Sequence, residues 1–295
     1  MEKIIVSFCE EYQFPAEARR ALSAAYASIQ CTPSVLEIFS RTGAAYQENR
    51  RLDYEGTLKE LSAACGAAGI PEETASMLLY MSLVPQMYRY YEQEGLPREL
   101  CRACLEDLKW KLFECRRVRG RWGSFVSSWF SGFFKLERFT LGRLQFELRP
   151  FPEDYEEAGR ARPAGMQQVI NIHIPSSGPL LREDCRRSYR LAAEFFRSAF
   201  PGEETAFVCF SWLLFPAHRQ FLPSHSHILE FMEDFDIYRS HTDPQGRDLW
   251  RIFGMEDCSD TVRLPEETSL QRAYKQWLLN GREPGTGAGL FVLHS

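Results

Sequence analysis

The chain has 295 residues, 44% hydrophobic and 14% aromatic, a content that fills packed cores and excludes intrinsic disorder. Its length exceeds that of a usual single domain, so two are expected. A formal net charge of -5 lacks the basic footprint of a nucleic-acid binder, and no apolar run reaches the roughly 20 residues of a membrane-spanning helix, so neither nucleic acid nor membrane is expected as a partner.

The start, MEKIIVSFCEEYQF, turns acidic after a few apolar residues and has no small-residue cleavage site, which reads as a cytoplasmic protein without a secretory signal. Nine cysteines, odd in number and without framework spacing, read as reduced thiols. Helices are expected at residues 15–30, which open on Pro15, and after Thr32, which offers an N-cap before Pro33. A third spans residues 53–68 and is closed by Gly69; a fourth runs from Pro71 to about Gly95 with Pro85 as a kink; a fifth covers residues 97–117. Short loops between amphipathic helices imply an antiparallel bundle. Cys101 and Cys104 form a CxxC inside the fifth helix without a second pair nearby, so buried helix positions explain them better than zinc, and no metal is expected. The basic run 109–121 either steers an anionic ligand or complements the dipole at a helix end, and the second reading is simpler. We place the domain boundary near Gly120, giving a helical domain 1–120 and a second domain 121–295; residues 122–134 (WGSFVSSWFSGFF) read as a buried or interfacial segment.

The second half changes period. Strands are expected at 138–148, 168–174, 206–215, 235–240, 248–253 and 289–294, with helices at 183–200, 224–234 and 269–279. Residues 154–164 read as a polar hairpin-like connection, and 281–289 as a flexible loop. The strand QVINIHI runs into PSSG (175–178) and then a helix N-terminus, where unpaired N–H groups and the helix dipole favour an anion.

Each candidate side chain has two readings. His173 is a general base or a strand histidine that anchors the Pro175 turn. Ser176, Ser177 and Gly178 form a phosphate cradle or an ordinary turn, and Arg182, Arg186 and Arg187 neutralise phosphates or line a solvated helix face. Glu147 shares a strand face with Gln145, opposite Leu144 and Phe146, as a proton acceptor or a surface residue. Ser211 and Trp212 line a channel or anchor the core, and Cys209 has nothing nearby in sequence to activate its thiol. His218, His225 and His227 follow that strand without a completing ligand set; Ser224 reads as the N-cap of the next helix.

WFSGFF followed by LGRLQFEL, then INIHIPSSGPL and its helix, then FSWLLFP followed by LPSHSHILEF, resemble a family of bacterial acyltransferase-like proteins. Their C-terminal domain is GNAT-like, after the GNAT superfamily of N-acetyltransferases, and an all-helical domain precedes it. The resemblance implies an α+β protein in which a mixed, mainly antiparallel sheet flanked by helices follows the helical domain. It makes 168–174 a central strand that splays from 206–215, and 183–200 the helix that receives the pyrophosphate of acyl-CoA, the implied co-substrate. Under it, backbone donors near Ile172 and Ile174 polarise the thioester, while Ser176, Ser177, Gly178 and Arg187 hold the phosphates. His173 or Glu147 manages the acceptor's proton, and Ser211, Trp212, His218 and His225 face the acceptor. The usual loop, Arg/Gln-x-x-Gly-x-Gly/Ala, is not matched: one glycine, Gly178, lies between strand and helix, and Glu183 and Asp184 bring negative charge to the helix start.

The expected function is transfer of an acyl group from acyl-CoA to a small-molecule amine or other nucleophile through a ternary complex. The competing reading is a non-catalytic GNAT-like ligand- or peptide-binding protein. A hydrolase would need a Gly-x-Ser-x-Gly elbow, which the chain lacks. Oligomeric state is left open.

Overall fold

The computed structural model describes residues 1–163 and 165–294. The chain divides into two compact units, Met1–Phe139 and Thr140–Ser295.

The first unit is helical. It opens with α1 (Glu2–Glu11), a helix not anticipated from the sequence; Ile5, Phe8 and Cys9 bury one narrow face of it against α2 (Ala16–Gln30) and α5 (Glu72–Gln93). No side chain caps α1, so tertiary packing rather than a local signal holds it. In α3 (Pro33–Glu48), Pro33 takes the first turn as expected, but Thr32 does not cap; its hydroxyl turns back to the Ser28 carbonyl at 2.9 Å. Asp53 does cap α4 (Tyr54–Ala68), accepting from the Gly56 amide, and Gly69 closes it in the left-handed region. Helix α5 (Glu72–Gln93) continues through Pro85 and contacts α1, α2, α3, α4 and α6, which explains why it is apolar nearly all round. The expected fifth helix is two, α6 (Arg98–Leu105) and α7 (Asp107–Arg119), meeting at Glu106. Cys101 and Cys104 are fully buried in α6, and every cysteine among the described residues is a free thiol.

The aromatic segment belongs to this unit, so the structural boundary falls at Phe139 and not near Gly120. The Ser124 amide donates to the Glu73 carbonyl, and Thr74 donates to the Trp122 carbonyl. The rings of Phe130 and, within α8 (Ser131–Phe134), Phe134 lie 5.2 and 5.0 Å from Tyr80. The change of texture at Gly120 marks a helix C-cap, not a domain end. Arg119 and Arg121, from the basic run, pair with buried Glu73.

The sheet has the order β1-β2-β3-β4-β6-β5. The strand expected at 138–148 is a hairpin, β1 (Arg138–Leu141) and β2 (Leu144–Pro150), turning at Gly142 with φ +73°. The 154–164 connection begins as a short helix, α9 (Glu153–Glu157); its end, Ala164, lies outside the described residues. Then come β3 (Gln168–His173), α10 (Arg182–Phe195) and β4 (Glu204–Ser211), which gives way to a 3-10 turn at Trp212–Leu214. Two short helices follow, α11 (His218–Phe221) and α12 (His227–Met232), the latter capped by Ser226 and not Ser224, and then β5 (Asp236–Thr242). The strand expected at 248–253 is a helix, α13 (Leu249–Phe253): Leu249, Ile252 and Phe253 bury at i, i+3 and i+4, a spacing too brief to separate from a strand in sequence. A capping box at Thr268 and Gln271 starts α14 (Ser269–Leu279), and β6 (Gly285–His294) closes the unit.

Helix α10 packs on one sheet face through Tyr189, whose ring meets Phe207 and Phe291, themselves stacked at 4.9 Å. On the other face Val169, Ala206, Val208 and Leu290 pack under Phe151 and Tyr155. Strand β2 pairs with β3 along its length, antiparallel, and β4 with β6 likewise. The parallel pairing of β3 with β4 is confined to Ile170↔Phe207 and Asn171↔Val208, although β3 runs on to His173 and β4 to Ser211. The ladder thus stops at Asn171, two residues before β3 ends and the chain enters the Pro175 turn.

Candidate active site

Strand register assembles the first cluster. Gln145 lies opposite His173 and Glu147 opposite Asn171, so period-two alternation sets these four and Arg149 on one sheet face. They are polar yet withdrawn from solvent: Gln145 is 2% exposed, Glu147 6% and Asn171 5%. Glu147 is therefore not the surface residue its alternation allowed. Its Oε1 lies 3.1 Å from His173 Nε2, accepts from Arg149 Nε at 2.9 Å, and accepts from Asn171 Nδ2 at 3.3 Å. The Asn171 amide nitrogen also lies 3.1 Å from His173 Nε2, while its carbonyl oxygen, Oδ1, is buried without a partner. Nε2–H donating to the Glu147 carboxylate puts the basic lone pair on Nδ1, whereas Nε2 accepting from the Asn171 amide keeps it on Nε2, so the two contacts favour opposite tautomers. Asn171 and Arg149 escaped the sequence reading. The alternation N-x-H on one strand and Q-x-E-x-R on the other was visible, but their facing register was not.

The second element is the turn after β3. Gly178 has φ +118°, a conformation that favours glycine, and a Cβ there would meet nothing within 4 Å. Among the described residues, no acceptor is found for the backbone N–H groups of Ser176, Ser177, Gly178, Leu180 and Leu181. The first-turn amides of α10 follow them, unpaired by the nature of a helix start. Arg143, in the β1–β2 turn and also missed from sequence, reaches under this segment. Its Nη1 donates to the Pro175 carbonyl at 3.0 Å, Nη2 to Gly178 at 2.7 Å and Nε to Pro179 at 2.9 Å. Of the arginines named as phosphate partners, Arg182 and Arg186 are engaged with Glu233 and Asp234. Arg187 is exposed, 3.9 Å from Asp184 on its own helix. Ile172 is buried beside the interrupted ladder, and Ile174 is half-buried just past it.

At the end of β4 a cavity of about 170 Å³ is lined by Phe210, Ser211, Trp212, His241, Asp248 and Thr286, among others. Phe210 is 53% exposed, unusual for its size, and shares a sheet face with Val208, which pairs with Asn171. Ser211 accepts from the Leu213 amide and so also shapes the turn that closes the cavity. His218 is not at this surface. It is fully buried, hydrogen-bonded through Nε2 to Tyr274 and ringed by Trp212, Phe215 and Phe221. Burial lowers its pKa to about 4, which fits a core histidine and not an acceptor-side group. His225 is exposed in the loop before α12, and His227 pairs with Glu230; neither lines the cavity. Cys209 is fully buried and its thiol pKa is pushed up by burial, so a thiolate nucleophile is disfavoured there.

Residues 4–136 match the N-acyltransferase N-terminal domain and residues 138–291 the GNAT-like C-terminal domain. No curated protein matches the chain. Among solved structures, an acyltransferase in complex with decanoyl-CoA and teicoplanin is 23% identical, with a TM-score of 0.76 over 97% of this chain and 87% of that one. A structure of an acyltransferase with decanoyl-CoA alone is 21% identical, with a TM-score of 0.75 over 97% and 86%. At such identity the likeness is one of fold. Because the two domain matches together cover almost the whole chain in the order its structure shows, the protein belongs to the acyltransferase-like family that joins an N-terminal helical domain to a GNAT-like C-terminal domain.

Proposed function

We propose that this protein transfers an acyl group from an acyl-CoA to an amine or other small nucleophile within a ternary complex. The observation that carries the reading is the break in the β3–β4 ladder, which opens onto a turn and helix start rich in unbonded amides. Such donors suit a pyrophosphate without a second glycine. Ser176, Ser177, Gly178 and the first turn of α10 are the residues that would hold the phosphates, with Arg187 nearby. The bound acyl-CoA ligands of the structurally similar acyltransferases support the same reading.

The reaction then needs a base for the attacking amine and donors for the thioester oxygen. His173 takes the proton as the nitrogen–carbon bond forms, and Glu147, 3.1 Å from its Nε2, steadies the resulting imidazolium. Backbone N–H groups near Ile172 and Ile174 would polarise the carbonyl. Collapse of the tetrahedral adduct breaks the carbon–sulfur bond, and the departing thiolate takes up the proton that His173 had received. The acceptor reaches the site from the β4 end, where Phe210, Ser211 and Trp212 border the cavity. Asp248 and His241 there suit an acceptor bearing an amine or hydroxyl groups.

Calorimetry with acetyl-, octanoyl- and decanoyl-CoA tests this reading. Saturable binding to the free protein is expected, and no heat at millimolar ligand would remove acyl-CoA from the function.

A further inference from the structure

We infer that Arg143 is a positioning residue for the pyrophosphate of the acyl donor, doing by side-chain hydrogen bonds what a second glycine does elsewhere by backbone freedom. The inference rests on the acyl-CoA reading above and adds to it the device that shapes the loop. Each nitrogen of the guanidinium donates to a different carbonyl: Nη1 to Pro175, Nη2 to Gly178 and Nε to Pro179. The peptide bonds among the described residues are trans, so the N–H of each unit points opposite to its C=O. With the Pro175 and Pro179 carbonyls drawn onto Arg143, the amides of Ser176 and Leu180 must face away from it, and neither has an acceptor among the described residues.

The charge matters as well as the shape. No carboxylate lies within ion-pair distance of Arg143 among the described residues, so its charge is passed to the loop through three carbonyl dipoles and is not cancelled beneath it. It thereby offsets Glu183 and Asp184 at the start of α10. The arginine is itself anchored apart from its side chain: its backbone N–H donates to Ser188 Oγ at 2.7 Å, and that hydroxyl donates to the Asp184 carbonyl. Removing the side chain therefore leaves the hairpin docked on α10 while freeing the loop. Lysine keeps the charge but has one nitrogen where the loop uses three in a rigid fork.

The test is calorimetry with CoA on the wild type, Arg143→Ala and Arg143→Lys, together with hydrogen exchange of residues 174–184 with and without CoA. Both variants should bind CoA at least about tenfold more weakly. CoA should slow exchange across 174–184 in the wild type but not in the variants, with exchange in β2, β4 and β6 unchanged. CoA affinity within twofold of wild type in both variants would overturn the inference alone, as would full recovery by lysine. So would faster exchange throughout the sheet, since it would make the residue merely structural. If the alanine variant does not fold, the lysine variant decides. A wild type that fails to bind CoA would overturn the acyl-CoA reading and this inference with it.

Discussion

His173 Nε2 lies 3.1 Å from Glu147 Oε1, and the two side chains meet across paired antiparallel strands, opposite Gln145 and Asn171 respectively. The same carboxylate oxygen accepts from Arg149, so removing one donor leaves it partly satisfied. If His173 is the base and Glu147 its support, His173→Ala should lower acyl transfer about 10²- to 10⁴-fold, and Glu147→Gln should lower it less. Thiol release from decanoyl-CoA with an amine acceptor measures the rate, and calorimetry should show CoA affinity preserved in both. Transfer at the wild-type rate in His173→Ala would remove this histidine from the chemistry.

Asn171 is the neutral member of the cluster, 5% exposed with its Nδ2 3.3 Å from Glu147. Asn171→Asp puts a second carboxylate at that distance, offset in part by Arg149. His173, which faces both positions, or one of the two carboxylates then holds an added proton, so the folded cluster binds more protons than the unfolded chain near neutrality. The variant should lose about 1–3 kcal/mol at neutral pH and recover as the pH falls. Urea unfolding at a series of pH values gives the answer, and a penalty that grows in acid would contradict the arrangement.

His218 carries a separate pH dependence. Burial depresses its folded pKa to about 4 from an ordinary 6.5. Between these values the unfolded chain takes up a proton that the folded protein refuses. Its contribution is complete above about pH 6.5 and is lost as the pH falls toward 4, a change of about 3 kcal/mol. His218→Gln should be less stable than wild type at pH 7, with the gap narrowing by pH 4.5 in urea titrations. A gap constant with pH would show that this imidazole titrates normally.

Gly287 lines the cavity at the end of β4 and lies against the Trp212–Leu214 turn. A Cβ there would fall 2.1 Å from the Leu214 carbonyl oxygen, which is backbone and cannot swing aside. Gly287→Ala should therefore cost at least about 1–3 kcal/mol and displace the turn that carries Trp212. Tryptophan fluorescence and thermal unfolding report both effects, and an unperturbed variant would show that the turn yields freely.

Much of the architecture was legible from local pattern. Asp53, Gly69 and Pro33 act within one turn of chain, so helix ends there follow from sequence neighbours. Short elements were not legible: α13 was read as a strand because five residues hold too little periodicity, and Gly120 looked like a domain boundary although it ends a helix. Arg149, Asn171 and Arg143 went unnoticed, and His218 was assigned to a surface it does not share, because burial and partners belong to neither residue type nor spacing.

The chain's alternation by itself determined that His173 and Asn171 share one side of a strand, and that a turn with a single glycine feeds a helix start. Only the tertiary structure decided that Glu147 meets that histidine, that the β3–β4 ladder stops at Asn171, and that Arg143 holds the turn's carbonyls. The reason is physical: alternation is set by bonds within a few residues, whereas strand register and a guanidinium's reach join segments tens of positions apart, and only packing of the whole unit selects them.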